Sequence, residues 1–231
     1  MLPPRVQVAL DESVRDYWLR RVRQHTSDSY VGVPMSKFPE DLRVYEHLLW
    51  MMRPQVVIEI GSHYGGSALW FRDRLVALGR YGGFSDPRVI STDIDLAPAR
   101  AALEAADPDY AETITLLEGD VRDPTLPATV EALLPPGARC FVVEDSAHTY
   151  ETTSAALAGF ARLVPAEGFF VVEDGCVDVE EMRAGDDWPR GVLPAIRDWL
   201  GTEAGENFTV RRDLELYGVS CHPEGFLQRA R

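Results

Sequence analysis

The tetrapeptide Val-Val-Glu-Asp occurs twice, at 142–145 within RCFVVEDSAHTYE and at 171–174 within GFFVVEDGCVDVE. Each copy closes an apolar run with two carboxylates. If the two runs are neighbouring strands of one sheet, Asp145, Glu173 and Asp174 converge at its edge. Carboxylates that close repel one another and raise their own pKa values. A hard divalent cation removes that conflict, and an all-oxygen donor set selects Mg²⁺, Ca²⁺ or Mn²⁺ over zinc. Successive strand side chains point to opposite faces, so Glu173 and Asp174 can share an ion only where the strand has already turned. The alternative is that these acids cap the helices that follow. Three residues beyond Asp145 stands His148, placed to open the next helix over the same edge. Beside a hydroxyl held there, a neutral imidazole could serve as general base; otherwise it is a surface or capping histidine.

A second constellation lies upstream. EIGSHYGGSALW (59–70) carries glycines at 61, 65 and 66 and opens into a helix with Ser67 in its first turn. The dinucleotide fingerprint G-x-G-x-x-G is broken, because His63 stands where its second glycine belongs. The E-x-G-x-x-x-G-G form resembles motif I of class I S-adenosylmethionine (SAM) methyltransferases. SAM brings no pyrophosphate but a methionine amino-carboxylate, which gives the acid at Glu59 a use. An ordinary strand-to-helix turn is the alternative. In STDID (91–95), Asp93 ends a strand and could accept both ribose hydroxyls of an adenosine. It lies about 32 positions past Gly61 rather than the ~20 of dinucleotide-binding folds, and the loop LGRYGGFSDP can absorb the difference. Asp95 is placed to cap the helix beginning near Ala97. In EGDVRDP, Asp120 would suit an adenine amino group, with a plain Asp turn before Pro124 as the alternative.

The elements that must position these residues alternate. Helices are expected over 12–25 and 40–52, separated by a polar, glycine- and proline-punctuated loop. Strands then read at 55–60, 88–94, 113–120, 139–145 and 168–174. Helices read at 67–79, 97–106, 125–134, 149–164 and 191–201, the last despite Pro194. Weaker strand candidates lie in FTVRRDL and YGVSCH near the C-terminus. The alternation implies a doubly wound, mostly parallel α/β sheet with helices on both faces, and ligands bind beyond the carboxyl ends of such strands. Every polar signal above falls at one of those ends.

With 231 residues the chain suits one domain, 1–231, made of an N-terminal helical and lid segment (1–53) and a core (54–231). The formal net charge of −14 argues against nucleic acid and anionic membranes as partners. No apolar run is long enough to cross a bilayer, and the N-terminus lacks the basic start and apolar core of a signal peptide. Three widely spaced cysteines give neither a zinc pattern nor a disulfide framework, so a reducing cytoplasm is the expected location. Lys37 is the only lysine.

SKFPEDLRVYEHLLWMMRPQVVIEIGSHYGGSALWF, STDID, DSAHTYE, GFFVVED and the closing GVLPAIRDWL…PEGFLQR follow one another in an order that resembles the cephalosporin hydroxylase and rhamnosyl O-methyltransferase family, from about residue 30 to the C-terminus. The resemblance implies a Rossmann-like class I methyltransferase fold with an antiparallel C-terminal strand. It implies SAM and Mg²⁺ as cofactors. It places Glu59, Gly61, Ser62, Gly65, Ser67, Asp93 and Asp120 at the SAM site and Asp145, Glu173 and Asp174 at the metal, and makes His148, in a D-x-x-H strand end, the catalytic histidine. Lys37, in a K-x-P-x-D segment, is a candidate substrate contact or a simple partner of an acid, and Tyr30 is a candidate substrate contact. The family's glycines before the last core helix are reduced here to Gly191, so the substrate-side loop departs from the pattern.

The expected activity is transfer of a methyl group from SAM to a hydroxyl of a sugar or glycosylated natural product. The partner is then a small-molecule acceptor, with a homo-oligomer left open and segments 1–36 and 178–190 as walls and lid. Two other readings compete. A tailoring hydroxylase is suggested by the family name, but nothing matches a two-histidine, one-carboxylate iron site or a flavin site. A non-catalytic SAM-binding partner protein would have no use for both the acid set and the histidine.

Overall fold

The computed structural model describes residues 11–82 and 86–231. Residues 1–10 of the expected lid, and 83–85 of the loop before Asp93, lie outside them. A helix α1 (Val14–His25) leads to a short hairpin, β1 (Ser29–Tyr30) and β2 (Val33–Pro34), inside the stretch expected to be loop, and then to α2 (Pro39–Met52). The core follows as β3 (Val56–Ile60), α3 (Gly66–Gly82), β4 (Arg88–Asp93), α4 (Ala97–Ala106), β5 (Ile114–Glu118), α5 (Leu126–Ala132), β6 (Cys140–Glu144), α6 (Tyr150–Phe160), β7 (Phe169–Val172), α7 (Val192–Leu200), β8 (Phe208–Val210) and β9 (Phe226–Arg229).

Seven strands form one sheet in the order β5-β4-β3-β6-β7-β9-β8. β3 through β7 run parallel, and β9 is antiparallel to both β7 and β8. This is the doubly wound sheet expected, and its order reverses between β3 and β6. All five residues of β3 and of β6 are buried, as strands covered on both faces must be. Val57, Phe141, Val143, Phe169 and Val171 pack on the α2/α3 side. Val56, Ile58, Val142, Phe170 and Val172 pack on the α6/α7 side.

Local chemistry fixes the helix ends. Thr149 and Thr152 form a capping box at the start of α6. Pro194 does not break α7, because it sits in the first turn, where a proline's missing N–H has no intrahelical partner to lose. Gly191 ahead of it holds φ 129°, and a Cβ there would lie 2.3 Å from Tyr150 N. That single glycine therefore suffices to bring α7 against the start of α6.

One expectation fails. The strand candidate at 217–222 is a turn and loop: Asp41 of α2 draws it in by accepting from Ser220 Oγ (2.6 Å) and Cys221 N (3.0 Å). The antiparallel strand is instead Phe226–Arg229, too short and too polar at its end to signal itself. Segment 178–190, expected with 1–36 to supply walls and lid, is a packed loop. The buried Arg183 guanidinium donates to the carbonyls of Val177, Gly185, Asp186, Trp188 and Pro189, and Trp18 Nε1 of α1 donates to Met182 O at 2.6 Å. No helix is long and apolar enough to cross a membrane among the described residues.

Candidate active site

The carboxyl ends of β3 to β7 open on one cavity of about 540 Å³. Each strand contributes to it: Gly61 after β3, Asp93 from β4, Gly119 and Asp120 after β5, Asp145 to His148 after β6, and Asp174 after β7. His25 at the end of α1 and Ser36 close it from the N-terminal side. Both fall in segment 1–36, expected as part of the walls and lid, although neither residue type signals the role by itself.

At the β3 end the glycines serve the protein's own backbone first. Gly61 holds φ 108°, and a Cβ on it would meet the Asp145 carbonyl oxygen at 1.9 Å. The turn is pinned by Asp93, whose Oδ2 accepts from Ser62 N and His63 N, both at 2.9 Å, and whose Oδ1 accepts from Ile94 N at 2.7 Å. Asp120 lines the cavity but is paired with Arg122, which lowers its pKa to about 2. Glu59, Ser62, Gly65 and Ser67 stand in the wall behind the cavity rather than on its surface. Ser62 Oγ lies 2.7 Å from Ser91 Oγ, which donates to Glu59 Oε2 at 2.5 Å.

Burial lifts the Glu59 carboxyl to about 7, against the opposing pull of Lys37, Ser67 and Ser91. A carboxyl raised from 4.5 to about 7 by folding costs nothing below pH 4.5 and its full penalty above pH 7, on the order of 3 kcal/mol. Glu59→Gln is therefore expected to stabilise the ligand-free protein at pH 8 and to do far less at pH 5. Denaturant unfolding at the two pH values checks it, and an equal effect at both contradicts the buried-acid account.

The acidic edge depends on register. β6 and β7 pair with Val142 opposite Phe170, Val143 opposite Val171 and Glu144 opposite Val172. The two Val-Val-Glu-Asp copies are thus staggered by one residue. One step further, Asp145 falls opposite Glu173 on the α2/α3 side, while Glu144 faces α6. Glu144 is satisfied there by Ser146 N (3.0 Å), Ser146 Oγ and Thr153 Oγ1 (3.3 Å). On the other side the buried Lys37 ammonium binds both Asp145 Oδ2 and Glu173 Oε2, the latter at 2.5 Å, and Tyr45 donates to Glu173 Oε1 at 2.6 Å. Burial alone would lower the Lys37 pKa, but Asp145, Glu173 and Glu59 hold it above the ordinary lysine value. Lys37 therefore neutralises the acids from behind and does not line the cavity. Tyr30 is also away from it, donating to Asp73 of α3 at 2.8 Å.

Asp174 would fall on the opposite face from Glu173 if β7 continued. It has φ 55°, ψ 30° instead, and that left-handed turn brings it round to the cavity. His148 Nε2 sits 3.4 Å from Asp174 Oδ2 and 3.8 Å from Asp145 Oδ1. Asp145, His148 and Asp174 each offer a ligand atom, mutually within 4.8 Å; Glu173, Asp174 and His222 form a second such group. Asp145, Glu173 and Asp174 are not gathered as a set of three among the described residues, because Glu173 is directed to Lys37 and Tyr45. Burial and the neighbouring Glu173 raise the Asp145 pKa despite Lys37 and His148. Such like-charge strain around oxygen donors suits a divalent cation at Asp145 and Asp174.

Three further buried residues belong to this region: Asp41, Tyr45 and His222. Asp41 was within reach, as the aspartate of the K-x-P-x-D segment; Tyr45 and His222 carry no local signal.

A doubly wound sheet with this strand order, an antiparallel β9 inserted between β7 and β8, and a cavity over its carboxyl ends define a class I methyltransferase fold. A family model, Rhamnosyl O-methyltransferase/CmcI, matches residues 22–230. The chain belongs to that family. The Rhamnosyl O-methyltransferase of Mycobacterium tuberculosis (strain H37Rv) is 25% identical over 210 residues, covering 88% of this chain and 79% of the relative. That of Mycobacterium leprae is 30% identical over 151 residues, covering 63% and 59%. Among solved structures, one described as "cmcI-D160 Mg-SAM" superposes with a TM-score of 0.65 at 23% identity, covering 89% of this chain and 78% of the other.

Proposed function

We propose that the protein transfers the methyl group of SAM to a hydroxyl of a sugar or glycosylated natural product, with Mg²⁺ at the acidic edge. The observation that carries this reading is the single cavity joining Gly61, Asp93 and Asp120 to Asp145, His148 and Asp174. One end suits a nucleoside: Asp93 offers acceptor capacity to ribose hydroxyls, and Ile94 and Val121 offer apolar surface to a flat base. The other end suits an alcohol that must lose its proton. Asp145 and Asp174 would hold Mg²⁺, which when bound orients an acceptor hydroxyl and lowers its pKa. Glu173 and Lys37 stand behind them and set the charge of that edge.

His148 takes the acceptor's proton at Nε2, where it comes to rest between the carboxylates of Asp174 and Asp145. The acceptor oxygen forms its bond to the methyl carbon as the carbon–sulfur bond breaks, and neutral S-adenosylhomocysteine leaves. Holding donor and acceptor in one cavity supplies much of the rate. In the cavity's Asp145–His148–Asp174 cluster, and in the buried Glu173–Asp174–His222 cluster beside it, one histidine stands with two carboxylates, the reverse of the two-histidine, one-carboxylate set of an iron oxygenase.

The test is incubation with methyl-labelled SAM and a panel of glycosylated acceptors, with and without EDTA. Label on a sugar hydroxyl, lost with EDTA and restored by Mg²⁺, is the expected result; full turnover in EDTA removes the metal from the reading. A separate expectation concerns Asp93. Asp93→Ala removes the ribose acceptor and unpins the β3–α3 turn, so SAM affinity should fall by about 2–4 kcal/mol, at ~1.5–3 per charged hydrogen bond less compensation by water. Unchanged affinity in calorimetric titration would take Asp93 out of that role.

A further inference from the structure

We propose that His222 is the positioning residue of the acidic edge, holding Asp174 in the turned conformation that aims its carboxylate at Asp145 and His148. The proposal rests on the metal reading above and assigns a task to a residue 48 positions away from Asp174. Asp174 is a non-glycine residue in the left-handed region, a conformation that side chains with a Cβ adopt rarely and that surrounding contacts must enforce. The enforcing contact is its own backbone: Asp174 N–H donates to His222 Nδ1 at 3.1 Å.

His222 is only 2% exposed and is itself fixed from several sides. Its N–H donates to Ser220 Oγ (3.0 Å), its carbonyl accepts from Gly225 N (2.9 Å), and its ring packs edge-on against Phe226 at 5.9 Å. Ser220 and Cys221 are tied to Asp41, so the chain of support runs from α2 through the 220–222 loop to the end of β7. An Nδ1 that accepts leaves the ring proton on Nε2. Nε2 has no hydrogen-bond partner and lies 3.8 Å from Asp41 Oδ2 and 3.9 Å from Glu173 Oε2. Its N–H dipole therefore points between two buried carboxylates, one in α2 and one beside Asp174. The same ring thus shapes the turn and faces the acids it serves.

The test uses the full chain and reads Mn²⁺ binding by paramagnetic resonance, SAM binding by calorimetry and exchange protection of the Asp174 amide. His222→Phe keeps the ring volume and loses the acceptor; His222→Asn places a carbonyl oxygen near the Nδ1 position. Outer-shell partners of this kind change metal affinity by ~10–100-fold. His222→Phe is expected to weaken Mn²⁺ by that factor, leave SAM affinity within about twofold and expose the Asp174 amide to exchange. His222→Asn should recover Mn²⁺ affinity to within about threefold of wild type. In the wild type, the histidine ¹⁵N spectrum should show His222 with Nδ1 unprotonated and Nε2 protonated. A protonated Nδ1, wild-type Mn²⁺ affinity in His222→Phe, or an Asn variant as weak as the Phe variant overturns the proposal. If His222→Phe does not fold, the tautomer and the Asn variant decide. If the wild type holds no Mn²⁺, the metal reading fails, and amide protection of Asp174 with the tautomer still decides the role of His222.

Discussion

Asp174→Asn is expected to cut turnover by about 10²–10³-fold while the fold and SAM affinity stay near wild type. Asparagine tolerates the left-handed backbone of this position and keeps the N–H that His222 accepts, so the turn after β7 survives. What disappears is the negative charge of one of the two carboxylates, Asp145 and Asp174, that would hold the cation. A cation that polarises and orients a hydroxyl stabilises the developing charge by several kcal/mol, and losing about 3–4 kcal/mol of it gives the stated factor. Asp145 is a less clean position, because its removal also strips the buried Lys37 of one of its two carboxylate partners. Single-turnover rates against Mg²⁺ concentration check the expectation. An Asp174→Asn protein with wild-type kcat and wild-type Mg²⁺ dependence would return the second Val-Val-Glu-Asp to a purely structural part.

His148→Ala should lower kcat by about 10²–10⁴-fold, the range for losing a general base, and leave SAM affinity almost unchanged. The ring sits over the acid pair, at the far end of the cavity from Asp93 and Asp120. Its pKa is raised. Burial works against the charged ring, but Asp174, Asp145, Glu144 and Glu173 outweigh it and hold the value above that of an ordinary histidine. Only the neutral ring accepts a proton, so the wild-type rate rises with pH through that raised value. A cation at Asp145 and Asp174 offsets the carboxylates and moves the inflection to lower pH as Mg²⁺ saturates. The alanine variant loses the inflection. A variant with near-wild-type kcat, or one that keeps the same pH profile, would mean that the proton leaves to water.

Much of the architecture was written locally. Alternating apolar runs and helical periods set five parallel strands and their helices within a few residues, because a strand buried on both faces has to be apolar throughout, as Val56–Ile60 and Cys140–Glu144 are. The strand ends were legible for the same reason: Asp93, Asp120, Asp145, His148 and Asp174 interrupt apolar patterns where the sheet opens, and all of them line one cavity. Local pattern misled where side-chain bonds replaced a ladder, as at 217–222, where Asp41 gathers the loop. It is silent where a segment's partner is distant, as with Met182, whose carbonyl accepts from Trp18 of α1.

The sequence by itself determined which residues could do chemistry and at which end of the sheet they stand, since residue type and strand period are local properties. Only the tertiary structure decided how those residues divide the work. Asp145 and Glu173 share Lys37 because β6 and β7 pair with a one-residue stagger, and Asp174 leaves that face because His222, brought in by β9 and Asp41, accepts its amide. Register and long-range hydrogen bonds are set by packing between elements far apart in the chain, and no spacing within either Val-Val-Glu-Asp copy records them.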